Sequence, residues 1–350
     1  MEKTPLTIEF DVLPAEMEES YKNALSTCSI HMIRGFGRVL GVKQASAMDK
    51  NPCINAILDV RFGRVEAHRS HLGPRPKKDW TEDFIQFERT HGFAVYKNGR
   101  YCNFTAPTAK EILEGEESGK TPFSGIINLN NGGNMVDVDL LLPLYSGVWD
   151  MQIGLADDCT VEAPVPYKYQ TPILFYGSSI TQGACASHAG NDYVNTLSRM
   201  LDCDIWNLGF SGGAKGEKVI ADYMASLDPS IYVLDYDYNA PDPDHLLQTH
   251  RPLYQTIRAA HPSTPIVLIS KPNFWGSADD YARRDVIQAT YQKAVQDGDK
   301  NVYFIDGETL FWDEERYACT VDSVHPNDHG FYRMAKVVYP VLKSLLEKTE

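Results

Sequence analysis

The sequence lacks long apolar runs, and it has no excess of positive charge. Two apolar runs, 231–234 and 266–269, are far shorter than the roughly 20 residues that a membrane-spanning helix needs. The 350 residues include 33 lysines and arginines against 47 aspartates and glutamates, so the formal net charge is −14. Such a chain has no general attraction for phosphate backbones or anionic bilayers. We therefore expect neither a nucleic-acid partner nor a membrane partner.

Paired cysteines are missing as well. The seven cysteines are scattered singly, and no two of them have the spacing of a zinc knuckle or a redox motif. This odd number without pairs predicts free, buried thiols. Residues 1–5 are polar and precede no long apolar stretch, so we recognise no secretion signal. Two locations remain open, the cytoplasm or a space outside it reached with a signal that was later removed. The oligomeric state is open too.

In the second half of the chain, strand-like runs alternate with helical stretches. Strand-like apolar runs cover 173–176, 204–208, 231–236, 266–270 and 302–305. Amphipathic helical stretches cover 193–201, 219–227, 246–260, 281–295 and 328–348. This alternation predicts an α/β fold with a three-layer, doubly wound parallel sheet in flavodoxin-like strand order. Ligands of such sheets bind beyond the carboxyl ends of the strands.

The first half has a mainly β pattern. Asn98-Gly99 separates two strand-like runs and predicts a hairpin, and 136–142 and 148–153 are further predicted strands. Only 16–25 has a helical pattern, and 64–82 receives no assignment. We predict a β-sandwich, jelly-roll-like domain over residues 1–166 and an α/β domain over 167–350. The boundary is placed at a proline-spaced connection near 163–166.

Ser179 follows the first predicted strand of the α/β half. Glycines at 177 and 183 let the backbone bend there and let a substrate approach. A serine hydroxyl is a poor nucleophile alone and needs a base within hydrogen-bonding reach. Gly-Ser-Ser is also a common turn sequence, so this string alone does not indicate a nucleophile. The functional interpretation depends on a base and oxyanion donors elsewhere in the chain.

Asp322 and His325 supply such a base. Their three-residue spacing lets the carboxylate reach the Nδ1 atom of the imidazole and leaves Nε2 to take the serine proton. Helix capping is the structural alternative for this spacing. His325 and His329 also admit a zinc interpretation, but no third ligand string is evident, so we expect no metal site.

Gly212 and Asn239 follow the second and third predicted strands. The Gly212 amide and the Asn239 side-chain amide, with the Ser179 amide as a third donor, are candidates for an oxyanion hole. Each of them is a common loop residue when considered alone. Beyond these, Tyr238, Lys271 and Trp275 are candidates for lining a sugar pocket, with packing in the core as the alternative.

These strings resemble those of the SGNH (GDSL-like) hydrolases, a family named for blocks that carry Ser, Gly, Asn and His. The resemblance spans about residues 175–330 and rests on Gly177-Ser178-Ser179-Ile180-Thr181, Gly212, Asn239, Asp322 and His325. Three positions depart from the pattern. Ser178 stands where many members have Asp, Asp237 where the third block usually has Gly, and Ala240 where it often has Asp. The named catalytic atoms remain in place.

The strings Gly-Ser-Ser-Ile-Thr-Gln-Gly and Asn-Leu-Gly-Phe-Ser-Gly look most similar to a bacterial branch with an N-terminal β-sandwich domain. Residues 92–96 loosely resemble a motif of that domain. The resemblance implies a carbohydrate esterase, of a branch that often deacetylates plant polysaccharides. We expect Ser179, His325 and Asp322 to remove an O-acetyl or other ester group from a small-molecule or oligosaccharide substrate, without a cofactor.

Two alternatives stay open. The first is a lipid or thioester acyl hydrolase on the same fold, which would need a long apolar acyl channel; the sequence shows no apolar lid-like segment. The second is a carbohydrate-binding protein without enzymatic activity. The intact set of Ser179, Asp322 and His325 argues against it.

Overall fold

The computed structural model describes most of the chain. The described residues are 14–27, 49–65, 92–107, 111, 123–148, 150–272, 276–312 and 314–349, with single positions at 30, 33, 34, 37, 40, 42, 45 and 48. The chain divides into two compact units, Met1–Asp83 and Phe84–Glu350. None of the described helices is long and apolar enough to cross a bilayer.

The described part of the first unit is helical. It contains a 3₁₀ turn (Ala15–Met17), helix α1 (Glu18–Thr27) and helix α2 (Lys50–Arg61). The helix predicted over 16–25 is confirmed by α1. Helix α2 was not predicted, although its buried residues follow the three- and four-residue steps of an amphipathic helix. They pack in an apolar cluster: Leu25, Ile33, Leu40, Ala45, Cys53, Ile54, Ile57 and Leu58. Positions 66–82 lie outside the described residues.

The second unit opens with a small antiparallel sheet. Its strands are β1 (Phe93–Lys97), β2 (Arg100–Thr105) and β3 (Val138–Leu141), in the order β2-β1-β3. The predicted hairpin is confirmed, because Asn98 and Gly99 both adopt positive φ, at 50° and 70°, as the favoured two-residue turn requires.

This sheet is the part of the predicted β-sandwich that the described residues form. No strand forms at 150–153, in the region where 148–153 was predicted as one. Residues 150–167 have no regular secondary structure. The apolar side chains of Met151 and Ile153 are exposed, and the described residues form no second antiparallel sheet over them. Apolar alternation alone does not make a strand when no neighbouring strand is available to pair with it.

The rest of the second unit contains the predicted parallel sheet. Its strands are β4 (Tyr169–Gly177), β5 (Cys203–Gly209), β6 (Ile231–Asp235), β7 (Ile266–Ile269) and β8 (Val302–Ile305). Every neighbouring pair is parallel, and the order is β5-β4-β6-β7-β8. This is the flavodoxin-like order, so the predicted topology is confirmed.

Helices cover both faces of the parallel sheet. They are α3 (Ser179–Gln182), α4 (Tyr193–Leu201), α5 (Lys218–Ala225), α6 (Pro243–Ala260), α7 (Ala278–Gln296) and α8 (Asp328–Thr349). Strand residues alternate between the two apolar layers. Ile173 and Phe175 pack with α4 and α8, whereas Leu174 and Tyr176 pack with α5 and α6. A central strand buried on both faces needs a continuous apolar run, as 173–176 provides.

The order of the strands creates a crevice at their carboxyl edge. Strand β4 lies between β5 and β6, and the connections that leave β4 and β5 run over opposite faces of the sheet, with α4 on one face and α5 on the other. Helix α3 follows β4, the loop 210–214 follows β5, and a 3₁₀ turn (Asp237–Asn239) follows β6. Three segments that are distant in sequence therefore meet at one place.

The small sheet packs against the chain that follows α3. Ala94 and Tyr96 of β1 form a buried cluster with Ala189. The Tyr101 ring stacks on the His188 ring at a centroid distance of 3.9 Å. The described elements of the second unit are therefore joined by apolar and aromatic contacts next to the segment that carries Ser179.

Candidate active site

The turn after β4 presents Ser179 at the start of a one-turn helix. Ser178 caps helix α3, because its hydroxyl accepts a hydrogen bond from the Ile180 amide at 3.1 Å. Its own amide donates to the Asp235 carbonyl at 3.2 Å, which fixes the turn to strand β6. The Asp that many SGNH proteins carry here is therefore replaced by another good N-cap residue. Ser179 itself is 7% exposed.

The structure brings Ser179, His325 and Asp322 into one chain of hydrogen bonds. Ser179 Oγ lies 2.9 Å from His325 Nε2, and His325 Nδ1 lies 2.7 Å from Asp322 Oδ2. The other carboxylate oxygen accepts from the amides of His325 at 2.7 Å and Val324 at 2.9 Å. The three-residue spacing thus closes a tight turn just before α8.

Hydrogen bonds hold Asp322 in its ionised form. Burial raises the pKa of this carboxyl, but the bonds that it accepts from the His325 ring and from two backbone amides outweigh burial and leave the pKa below its usual range. A carboxylate beside Nδ1 favours the tautomer that carries its proton on Nδ1. The lone pair of Nε2 then faces the Ser179 hydroxyl.

Loop 210–214 presents the Gly212 amide. Gly212 has a φ of 68°, which favours glycine, and Gly213 and Ala214 both donate to the Phe210 carbonyl. The Asn239 carbonyl oxygen Oδ1 accepts from the Ala214 amide at 3.3 Å, so the 3₁₀ turn after β6 supports this loop. Accepting at Oδ1 orients the Asn239 side chain and leaves its NH₂ group available.

Three N–H donors at this edge have no acceptor among the described residues. Within the described part of the chain, the amides of Ser179 and Gly212 and the Nδ2 group of Asn239 donate to no protein atom. Backbone donors are almost always paired in native structures unless they face solvent or a ligand. These three groups suit a negative oxygen that develops next to Ser179.

Two buried carboxyl groups lie beneath the site. Asp235 ends β6 and is 2% exposed; its Oδ2 accepts from the hydroxyls of Tyr193 at 2.9 Å and Thr181 at 3.2 Å. Burial, reinforced by the charge of Asp237, raises the pKa of Asp235 to about 7. Burial also raises the pKa of Asp237 to about 6, although its Oδ2 accepts from the Lys271 amide.

The candidate sugar-pocket residues are only partly described. The Tyr238 hydroxyl donates to the Pro272 carbonyl at 3.3 Å, and the Lys271 ammonium lies 4.4 Å from the centre of the Tyr238 ring. The same ammonium forms an ion pair with Asp280. Trp275 lies outside the described residues. Both Tyr238 and Lys271 contact other protein groups in the structure. Their contact with substrate stays a prediction.

The histidine pair considered for zinc does not belong to a larger ligand set in the described structure. His329 is exposed on α8. In the ranges that the structure covers, no group of three or more His, Cys, Asp or Glu side chains is arranged to hold a metal ion. Six cysteines are described, and no two of them form a disulfide with each other. Cys53, Cys203 and Cys319 are buried, whereas Cys159 is exposed, so the expectation of buried thiols holds only in part.

Sequence reasoning missed the supports of the site. Gln182 bonds to Ser211 and Leu144, and Arg283 donates to the carbonyls of Asp237 and Ala240 in the turn that carries Asn239. Gln182 had a detectable signal, because a residue three positions after Ser179 on a helix lies on the same side. For Arg283, which lies 44 positions after Asn239 in the chain, no local pattern points to the contact.

Comparisons with known proteins find a family match and similar solved structures. The sequence pattern of the GDSL-like Lipase/Acylhydrolase family matches residues 170–343. A Bacteroides ovatus protein described as a GDSL-like lipase is 28% identical, with a TM-score of 0.65, over 75% of this chain and 76% of that chain. A comparison with curated proteins finds no match.

Two more distant structures share the fold. A salicylyl-acyltransferase from a tetracycline biosynthetic pathway is 19% identical, with a TM-score of 0.57, over 78% of this chain and 77% of that chain. A family two carbohydrate esterase from Clostridium thermocellum, solved with cellohexaose, is 15% identical, with a TM-score of 0.50, over 74% and 87%. At these identities the likeness shows the fold alone. On the evidence of the family pattern and the Bacteroides structure, residues 170–343 belong to the GDSL-like lipase/acylhydrolase family, and the chain is an ester-hydrolysing enzyme.

Proposed function

We propose that the protein is a serine esterase that removes ester groups, and in particular O-acetyl groups, from a carbohydrate. The observation that carries this proposal is the unbroken chain of hydrogen bonds from Ser179 Oγ through the His325 ring to Asp322, at 2.9 and 2.7 Å. Both distances lie within the range that a nucleophile and its base need for proton transfer.

The reaction follows from the positions of these atoms. Ser179 Oγ attacks the ester carbonyl carbon while His325 Nε2 takes the hydroxyl proton. The tetrahedral intermediate collapses, the C–O bond to the sugar breaks, and His325 returns the proton to the departing sugar oxygen. A water molecule, deprotonated by the same Nε2, then attacks the acyl carbon. The bond between that carbon and Ser179 Oγ breaks, His325 returns the proton to Oγ, and the carboxylic acid leaves. Asp322 remains ionised throughout and stabilises the imidazolium.

The amides of Ser179 and Gly212 and the Asn239 side chain act as the oxyanion hole in this proposal. All three lie at the carboxyl edge of the sheet, and none donates to another group in the described structure. Donors of this kind act only when negative charge develops on the carbonyl oxygen, so they lower the barrier rather than strengthen ground-state binding. Loss of one such donor typically reduces kcat by about 10²–10³-fold.

The carbohydrate part of the proposal rests on the shared fold and on the groups that surround the site. The fold is shared with a Clostridium thermocellum carbohydrate esterase solved with cellohexaose. Tyr238 lies in the same 3₁₀ turn as Asn239, and the small antiparallel sheet packs beside the segment after Ser179. We propose that Tyr238 and the small sheet form walls of the substrate groove, with Lys271 and Trp275 as further candidates.

An ester panel tests this function. We expect hydrolysis of acetylated xylo- and manno-oligosaccharides and of 4-nitrophenyl acetate, and much slower hydrolysis of 4-nitrophenyl octanoate. The Ser179→Ala variant should keep its fold and lose turnover by about three orders of magnitude or more. Faster hydrolysis of octanoate would instead favour a lipid or thioester acyl hydrolase. Glycan binding without hydrolysis of any ester would favour a binding protein.

A further inference from the structure

Gln182 uses both ends of its side-chain amide. Its Nε2 donates to the Leu144 carbonyl at 2.9 Å, and its Oε1 accepts from the Ser211 amide at 2.8 Å. Leu144 belongs to the segment after β3, whereas Ser211 directly precedes Gly212. One side chain on helix α3 therefore joins the loop 210–214 to the segment that follows β3 of the small antiparallel sheet.

The backbone of Gln182 is itself held against strand β5. Gly209 approaches so closely that a Cβ at this position would lie 2.2 Å from the Gln182 nitrogen and 2.5 Å from its Cα. Next to it, the Asn207 side chain donates to the Thr181 carbonyl at 2.8 Å. The base of the Gln182 side chain thus has little freedom, and its amide is directed at fixed partners.

The loop after β5 has three anchors around Gly212. The Phe210 amide donates to the Gly177 carbonyl at 2.8 Å, the Ser211 amide to Gln182, and the Ala214 amide to Asn239. Of these three anchored amides, that of Ser211 directly precedes Gly212, and Gln182 is its acceptor. Ser211 and Gly212 are exposed, so packing contributes little to fixing this part of the loop.

The other partner is equally well placed. The Leu144 side chain packs against the apolar layer that contains Ile173 and Phe175. It also packs against the cluster that contains Ala94, Tyr96 and Ala189. Its carbonyl therefore presents a firm acceptor to Gln182. A glutamate at 182 could accept from Ser211 but could not donate to Leu144 when ionised, and a methionine could do neither.

From these contacts we propose that Gln182 is a positioning residue that sets the distance between the Gly212 amide and the Ser179 nucleophile. The small antiparallel sheet thereby contributes to transition-state stabilisation through the Leu144 carbonyl. This inference rests on the proposed serine-esterase function. It predicts that loss of the Gln182 amide weakens stabilisation of the oxyanion while ground-state binding of substrate changes little.

The test compares Gln182→Met, Gln182→Glu and the control Ser198→Ala with the wild type. Ser198 donates a buried hydrogen bond of 2.7 Å to the Cys203 carbonyl, on α4 and away from the loop 210–214. Three quantities are measured for each protein: kcat and KM for 4-nitrophenyl acetate, inhibition by a boronic acid that forms a tetrahedral adduct with serine, and Tm.

We expect Gln182→Met to lower kcat by about 10-fold or more, to change KM by less than about 3-fold, and to weaken boronate inhibition in parallel with kcat. Gln182→Glu keeps the acceptor for Ser211 and should lose less boronate affinity than Gln182→Met. The control should lower Tm and leave kcat within about 2-fold of the wild type at a temperature well below Tm.

Two results would separate the possible failures. If the wild type hydrolyses esters but Gln182→Met lowers Tm alone, with kcat and boronate affinity unchanged, Gln182 has only a structural role and the inference is wrong. If the wild type hydrolyses no ester, the proposed function itself fails before any variant is compared. Should Gln182→Met not fold, Gln182→Glu decides: unchanged kcat and boronate affinity in that variant would show that the bond to the Leu144 carbonyl does not contribute, and the inference that the small sheet supports catalysis would be wrong.

Discussion

At the scale of single residues, the surroundings of Asp322 and Asp235 shift the pKa values of these two carboxyl groups in opposite directions. Asp322 accepts hydrogen bonds from a ring nitrogen and two amides, and these bonds keep its pKa low. Asp235 accepts, among the described residues, from two neutral hydroxyls in a fully buried position, and burial raises its pKa to about 7. The first group supplies a permanent charge to the site, whereas the second remains largely neutral below neutral pH.

The raised pKa of Asp235 predicts that stability falls as pH rises. An unfolded aspartate ionises near pH 4, so between about pH 4 and 7 the folded protein binds more protons than the unfolded chain at this position. The free energy of unfolding therefore decreases across that window. Asp235→Asn removes the ionisation but keeps an acceptor for Tyr193 and Thr181. We expect the Tm of this variant, relative to wild type, to be higher at pH 8 than at pH 5.

Asp157→Asn is the matched control for this experiment, because Asp157 is exposed in a turn. Thermal unfolding of all three proteins at pH 5, 6, 7 and 8 gives the comparison. A Tm difference between Asp235→Asn and wild type that stays constant over this range would mean that Asp235 is ionised throughout, contrary to the account given for its buried position.

At the scale of elements, the site depends on how closely helix α3 approaches strand β5. The Gly209 Cα faces the backbone of Gln182, and no side chain fits between them. This contact sets the distance from the nucleophile helix to the loop that carries Gly212. The same strand then contributes the Asn207 side chain, which bonds to the Thr181 carbonyl.

Gly209→Ala should therefore damage both stability and catalysis. The added Cβ would meet backbone atoms, which cannot move aside as a flexible side chain can. We expect Tm to fall by about 5 °C or more, with a parallel loss of kcat. Gly154→Ala is the control, because nothing lies within 4 Å of a Cβ at that position. Equal effects of the two substitutions on Tm and kcat would show that the approach of α3 to β5 is not tight.

The strands of the α/β half could be predicted from the sequence because burial on both faces demands continuous apolar runs, as at 173–176 and 231–234. The topology followed from their alternation with amphipathic helices. The supports of the site could not be predicted in this way. The bond from Gln182 to the Leu144 carbonyl spans 38 positions and exists only because the small sheet packs beside α3. The residues around Gln182 in the sequence therefore do not predict this contact.

At the scale of the whole molecule, every described residue of the proposed site lies in the unit Phe84–Glu350. That unit includes the small sheet, whereas the predicted boundary near 163–166 would separate the sheet from the candidate catalytic residues. Tyr96, Leu141 and Leu144 make buried contacts with the segment after α3. We therefore expect full activity to require the small sheet as well as residues 170–343, which match the family pattern.

Two fragments test where the catalytic unit begins. We expect residues 84–350 to unfold cooperatively and to retain hydrolysis of 4-nitrophenyl acetate, because this unit contains both sheets and the site. Residues 167–350 lose the Leu144 carbonyl and the cover over Ala189, so this fragment should show a lower Tm and a lower kcat. Equal Tm and kcat for the two fragments would instead support an independent domain over 167–350.

The most direct measurement of the central claim is the identity of the acylated residue. The enzyme is mixed with an activated acetyl ester, quenched in acid within the first turnover and digested, and the acetylated peptide is sequenced by mass spectrometry. The account predicts one acetyl group, on Ser179, that is absent from Ser179→Ala and disappears as product forms. Turnover with no acetyl group on Ser179, undiminished in the Ser179→Ala variant, would contradict it.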